Sequence, residues 1–255
     1  MPLDAIVRSR ALAPVRRAGL ELARRWPWPV RTRIATGRRM YVDLRSAVSR
    51  GIFVKGEFDP MVFQPIRAAL SDGGTFLDVG SNVGFYSMLA LDVVGPSGSV
   101  HAFEIDARPL RCLRRTIASE QLTNLHVHAV AVGDRDGMVG VHMDADSGLT
   151  GVVQSASAPQ VMMTTLDAWW RASGASRIQA IKMDIEGAEW LALRGAADLL
   201  RAERPLIVCE SDETLQQRFG HGPAQLQEYL AGLGYRIDPL AGAWSETIVA
   251  TPTLT

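Results

Sequence analysis

The chain has 255 residues, of which 47% are hydrophobic and 21% charged, with 27 Lys and Arg set against 27 Asp and Glu. Such a length supports one main domain with a sizeable core, and such a composition excludes global disorder. Zero formal net charge argues against a dedicated nucleic-acid binder, which needs surplus cations on its binding face.

In chain order, residues 1 to about 40 stand apart. Ten arginines, from Arg8 to Arg39, face only Asp4 and Glu21, and apolar residues recur between them at helical spacing. The pattern predicts a basic amphipathic helix interrupted near Pro14. Two readings are open: a solvated face packed on the main domain, or a peripheral contact with anionic lipid or an acidic polymer. Neither a signal peptide nor a membrane span is expected, and Cys112 and Cys209 read as buried free thiols, so the expected location is cytoplasmic.

"RIATGRRMYVDL", residues 33–44, predicts a short hairpin around Thr36 and Gly37. A helix or two follows, up to "SDGG" at Ser71. Apolar strands are then predicted at 76–80, 99–104, 125–132, 179–185 and 205–211. Helices are predicted at 84–94, 106–119, 187–203 and 223–233. This alternation implies an α/β, Rossmann-like, doubly wound and mostly parallel sheet with ligands at the carboxyl ends of its strands. Residues 137–165 read as a hairpin insertion, and "YRIDPLAGAWSETIVATP" as a closing antiparallel hairpin. Residues 1–50 are assigned to a helical extension with its hairpin, and 51–255 to the cofactor-binding domain.

"FLDVGSNVGFYS", residues 76–87, is a strand entering a glycine turn. A dinucleotide site would show G-x-G-x-x-G; here only Gly80 and Gly84 are present, preceded by Asp78. One carboxylate about 5 Å from a phosphate charge costs roughly 3 kcal/mol at an effective dielectric of about 20. The acid therefore disfavours a diphosphate and favours a cationic ligand such as S-adenosyl-L-methionine, with its sulfonium and ammonium. Glu104 closes the second strand, placed to accept hydrogen bonds from both ribose hydroxyls. "AVAVGDRDG" offers Val132, Gly133 and Asp134 to an adenine edge, with a plain Asp-Gly turn as the alternative.

"IKMDIEGAEWLALRGA", residues 181–196, puts Lys182, Asp184 and Glu186 on one side of a strand. Charges in a buried strand are expensive unless paired or functional. Glu210 ends the next strand beside them. Asp184 and Glu210 could remove the proton of an attacking hydroxyl, or bind a hard divalent ion such as Mg that stabilises the alkoxide. Helix-dipole stabilisation after Gly187 is the structural alternative for Asp184 and Glu186. The five histidines read as structural, with His142 the one placed in a candidate substrate loop.

These segments, with "GIFVKGEFDP", "NLHVHAVAVGDRDG", "TTLDAWW" and "PLIVCES", resemble the FkbM-type family of class I S-adenosylmethionine-dependent methyltransferases, from about Gly51 to Ser211. The resemblance implies a seven-stranded sheet ending in an antiparallel hairpin. It also implies O-methylation of a hydroxyl on a sugar, glycan or polyketide-type small molecule. The loop residues Asp78, Gly80, Ser81, Asn82 and Gly84, together with Glu104, Ile105, Gly133 and Asp134, are its expected cofactor contacts; Glu57 is suggested by the resemblance alone. Ser81 departs from the Ala common in the family. The catalytic set is Asp184, Glu210 and Lys182. An amino acceptor would want an Asn-Pro-Pro-Tyr type motif where "MDIEGAE" stands. An RNA-modifying methyltransferase, an aminopropyl transferase and a non-catalytic scaffold for a partner enzyme are the remaining alternatives.

Overall fold

The computed structural model describes residues 25–143, 150–153 and 157–253. The basic helix expected over the first residues, and the tip of the insertion, lie outside these. A hairpin of β1 (Val30–Arg33) and β2 (Arg39–Val42) comes first, turning at Gly37 as expected. Helices α1 (Ala47–Lys55) and α2 (Pro60–Ala69) lead into β3 (Thr75–Val79). Then come α3 (Phe85–Val94), β4 (Ser99–Phe103), α4 (Ala107–Glu120) and β5 (Leu125–His128).

After a four-strand excursion of β6 (Ala131–Val132), β7 (Gly137–Met143), β8 (Thr150–Val153) and β9 (Gln160–Thr164), the chain forms α5 (Leu166–Ser173) and returns as β10 (Ile178–Met183). It continues through α6 (Glu189–Arg194), α7 (Ala197–Glu203), β11 (Leu206–Glu210), α8 (Glu213–Gln217), α9 (Pro223–Gly232), β12 (Tyr235–Pro239) and β13 (Thr247–Pro252).

The main sheet has seven strands in the order β12-β13-β11-β10-β3-β4-β5, parallel except where β13 runs against β11 and β12. This is the Rossmann-like architecture expected, closing antiparallel hairpin included. The direction of winding reverses between β3 and β10, so the crevice for ligands opens at their carboxyl ends. Side-chain alternation sorts β3 between two buried clusters, with Phe76 on one face and Leu77 and Val79 on the other. Ile34, Met40, Val42 and Leu44 share the cluster of Phe76. The hairpin is thus part of the main core, and a domain boundary at residue 50 does not correspond to a packing boundary.

Two elements differ from expectation. The single strand 125–132 is split: β5 is the sheet edge, and the chain leaves it so that β6 can pair with β9 in a second sheet of order β6-β9-β7-β8. The single helix 187–203 breaks into α6 and α7 at Gly195. A Cβ there would stand 2.1 Å from the Gly133 carbonyl oxygen, and the Gly195 carbonyl is taken by the Asp167 N–H at 2.9 Å. Packing against the β6 turn, rather than helical periodicity, decides that break.

Candidate active site

The glycine turn follows β3. Gly80 has φ of +74°, and a Cβ on it would lie 1.8 Å from the Asp184 carbonyl oxygen, so glycine is required both by conformation and by the close approach of the neighbouring loop. Every N–H of the turn is committed. Gly80 and Ser81 donate to the Phe103 carbonyl at 3.0 Å, Asn82 to Glu104 Oε2 at 2.8 Å, Val83 to Asn82 Oδ1 at 2.8 Å, and Gly84 to the Ser81 carbonyl at 2.8 Å. A diphosphate cradle needs bare N–H groups. This turn offers none.

Asp78 answers to a cation, but the cation belongs to the protein. Register pairs Asp78 with Lys182 across β3 and β10. The Lys182 ammonium is 3.8 Å from Asp78 Oδ1 and 3.2 Å from Asp184 Oδ2, and donates to the Gly80 carbonyl at 2.9 Å. Ser87 Oγ donates to Asp78 Oδ2 at 2.6 Å. Asp78 is 0% exposed and does not line the crevice, so the expected direct contact with a cationic ligand is corrected to a support beneath the loop. Burial pushes the Asp78 carboxyl above its ordinary pKa, against the pull of Lys182 and Ser87. Burial also opposes the charge on Lys182, but Asp184 and Asp78 outweigh it and the ammonium is raised.

The crevice is lined by the turn from Gly80 to Val83, by Glu104 and Ile105 after β4, by Val130–Val132, and by Asp184–Glu186 after β10. Val48 and Ile52 of α1 close one side. Glu104 is placed as expected, with a narrower capacity. Its Oε1 accepts from Ile105 N at 2.7 Å and Asp106 N at 2.8 Å, and its Oε2 from Asn82 N. Of about four lone-pair positions on a carboxylate, three are used, leaving room for one ribose hydroxyl rather than two. Burial raises its pKa despite these three donors.

Gly133 and Asp134 line a smaller neighbouring hollow instead. The Gly133 N–H is spent on the Thr164 carbonyl, and Asp134 pairs with Arg135 and Arg194. Their neighbours Val130, Ala131 and Val132 form the wall, because β6 turns away one residue too early for Gly133 to reach it. Glu57 is exposed and outside the described cavities, with the next residue, Phe58, inside both larger ones. Gly84 caps α3 at φ of +83° without lining the crevice, its missing Cβ leaving space for Leu113.

A second cavity shares Phe58, Tyr86, Lys182, Asp184 and Glu186 with the first and extends to Asp59, Glu210, Trp244 and Thr247. Asp184 and Glu210 converge here. Glu210 is pushed up to about 9 by burial first and then by Asp184, with which it shares a hydrogen bond, so it keeps its proton at neutral pH. The Asp184 side chain is 44% exposed and is the open member of the pair. The alternation expected for Glu186 fails beyond the strand end, where φ of +59° turns it; burial and Asp184 raise its pKa. Glu189, buried behind, holds the loop by accepting from Ile185 N and Gly187 N.

The metal reading of Asp184 and Glu210 does not fit these residues. The Lys182 ammonium stands 3.2 Å from Asp184 Oδ2, and among the described residues no group of three His, Cys, Asp or Glu converges as ligands. The histidines stay out of the cavities. His101, His126 and His128 stack at the sheet edge against Trp169, and burial pushes His101 to about 3 and His128 to about 4. His142 is exposed on β7.

Asp59 was not anticipated from the sequence. It caps α2 with φ of +27°, is 3% exposed, and accepts the Trp244 N–H on Oδ2 at 2.7 Å. Its Oδ1 is enclosed without a hydrogen-bond partner among the described residues. Asn82, Glu186 and Asp59, three non-glycine residues at positive φ, all line the two cavities. Strain of this kind persists where the surroundings enforce it and clusters at functional sites. The one available sequence signal was an acid directly before Pro60, in a segment otherwise read as an approach helix.

A family model for the methyltransferase FkbM domain matches residues 78–237. Among solved structures, the methyltransferase FkbM of Methylobacillus flagellatus KT superposes with a TM-score of 0.53 at 19% identity, over 75% of this chain and 48% of that one. A precorrin-6y C5,15-methyltransferase from Geobacter metallireducens GS-15 aligns at 15% identity and TM-score 0.48, over 84% and 97%. In sequence, a probable cobalt-precorrin-6B C(15)-methyltransferase (decarboxylating) of Sulfolobus acidocaldarius is 35% identical over 81 residues, 29% of this chain and 42% of that protein. The chain thus spans under half the length of that curated relative and of the FkbM structure. Turn, sheet order and family model agree, and the chain belongs to the methyltransferase FkbM domain family.

Proposed function

We propose that the protein transfers the methyl group of S-adenosyl-L-methionine to a hydroxyl oxygen of a sugar, glycan or polyketide-type acceptor. The observation that carries this reading is the single wall between the two cavities, formed by Lys182, Asp184 and Glu186, with the protonated Glu210 behind it. The first cavity fits the cofactor: Glu104 has one acceptor position left for a ribose hydroxyl, Val130–Val132 offer an apolar wall, and Glu186 brings a carboxyl to the boundary with the second cavity. When bound there, S-adenosylmethionine supplies an electrophilic methyl group.

The remaining work belongs to this chain. Lys182 fixes the turn through the Gly80 carbonyl and orients Asp184. Asp184 accepts the hydroxyl proton as the acceptor oxygen commits its lone pair to the new bond. Glu210, keeping its own proton, donates to Asp184 and holds it toward the cavity. Phe58, Tyr86 and Trp244 supply apolar faces, and Asp59, Ser245 and Thr247 supply acceptors for further acceptor hydroxyls. Such positioning contributes several kcal/mol to the rate.

Transfer of labelled methyl from S-adenosylmethionine to a panel of neutral glycosides and hydroxylated macrolides tests the reading. Label appearing on oxygen, and its loss in Asp184→Asn, is expected. Label appearing on carbon or nitrogen instead would overturn the hydroxyl assignment, and cofactor that fails to bind at millimolar concentration would leave the scaffold alternative.

A further inference from the structure

The hairpin β1–β2 and helix α4 carry a surface that methyl transfer leaves unused. Arg31, Arg33 and Arg39 are exposed on the hairpin, and Arg111, Arg114 and Arg115 on the helix. Glu120 answers both Arg31 and Arg39. Arg33, Arg111, Arg114 and Arg115 have no acidic partner within ion-pair distance among the described residues. The two elements form one continuous face: Tyr41 N donates to Thr116 Oγ1 at 2.9 Å, the Arg115 guanidinium stands 4.9 Å from the Tyr41 ring, and Arg111 stands 6.0 Å from the Trp28 ring. Trp28 extends it at 59% exposure, and Trp26, two residues earlier in the chain, is 52% exposed. For a chain of zero formal charge, this is a local concentration of cations beside exposed aromatics.

We infer that this face docks on an anionic lipid bilayer. Arginines gain from anionic headgroups, and indoles partition to the depth where headgroup meets acyl chain. Charge argues against the chain's own first 24 residues as the occupant, because Arg8, Arg10, Arg16, Arg17 and Arg24 outnumber Asp4 and Glu21 there. A second copy presenting the same face meets the same repulsion. Single-stranded nucleic acid would use the indoles for base stacking, and the Arg111 guanidinium already stands over the Trp28 ring, 6.0 Å from its centre.

The test is co-sedimentation of the full chain with vesicles of phosphatidylcholine alone or with about 30% phosphatidylglycerol, at about 0.15 M salt. Partitioning to the anionic vesicles at least about tenfold above the neutral ones is expected, falling as salt is raised. Arg111→Glu with Arg114→Glu, and separately Trp26→Ala with Trp28→Ala, should each lower it by about tenfold or more, with thermal midpoints unchanged to show that both variants fold. Folded protein without a preference for anionic vesicles would overturn the inference, as would binding that both double variants retain. An oligonucleotide that displaces the protein from vesicles, with the tryptophan variant binding vesicles as well as the native chain, would reassign the face to a polyanion.

Discussion

Lys182→Met removes the ammonium on which the floor of the site depends. Asp78 is fully buried 3.8 Å from that charge. At an effective dielectric of about 20 the pair is worth about 4 kcal/mol before desolvation, and breaking a buried pair by deleting one partner costs about 3–5 kcal/mol. The lost hydrogen bond to the Gly80 carbonyl falls within that range. Asp184, being half open to water, adds little.

Asp78 can relieve the loss by taking up a proton, which fixes the pH dependence. A carboxyl whose folded pKa is raised contributes stability that is complete below its unfolded pKa and is lost as pH rises toward the folded value. Burial already raises Asp78, and removing Lys182 raises it further. The deficit of Lys182→Met should therefore grow as pH rises above the ordinary carboxylate range, by at most about 1.4 kcal/mol per unit. Asp78→Asn alone should cost less, about 1–2 kcal/mol, because Lys182 keeps Asp184 and the Gly80 carbonyl as partners. Asp78→Asn with Lys182→Met should recover most of the loss, since no buried charge is then unpaired. Urea unfolding followed by tryptophan fluorescence measures each value, with unchanged m-values confirming a common transition. A Lys182→Met deficit under about 1 kcal/mol at pH 8, or additive single and double variants, would refute this electrostatic account.

Asp184→Asn should lower kcat by about a hundredfold or more, the usual worth of a positioned proton acceptor, and leave cofactor affinity by calorimetry nearly unchanged; a collapse of cofactor binding would move Asp184 out of the acceptor site. Asp59→Asn keeps its carbonyl on the Trp244 N–H and so turns an NH₂ donor where Oδ1 stood. KM for a hydroxylated acceptor should rise about tenfold, the worth of one hydrogen bond, with kcat less affected, and kinetics unchanged from the native enzyme would remove Asp59 from acceptor binding. Glu210 is raised to about 9, so the native fold loses stability as pH rises from about 4.5 through 9; Glu210→Gln lacks that titration, and its thermal advantage over the native chain should widen from pH 6 to pH 9. Equal pH slopes for the two chains would show that Glu210 titrates normally. Chelator treatment should leave methyl transfer intact, and loss of activity restored by Mg would reinstate a metal at Asp184 and Glu210.

Sequence alone determined the strand-turn-helix succession, the closing hairpin, the acid just after β4 and the charges at the end of β10, because each is a local pattern of polarity, glycine and chain length. Asp78 was read as selecting a cationic ligand, because a carboxylate at a nucleotide-type turn repels a diphosphate. Only the tertiary structure decided which charge: register sets Lys182 opposite it, and no pattern within either strand encodes their pairing. The same holds for Gly195, whose helix break depends on Gly133 passing beside it, and for Glu104, whose lone pairs are used by neighbouring N–H groups. Asp59 and Trp244, 185 residues apart, meet in a hydrogen bond that closes the acceptor cavity. Contacts of that span depend on how the sheet winds, and winding is settled by burial of both its faces at once rather than by any one segment.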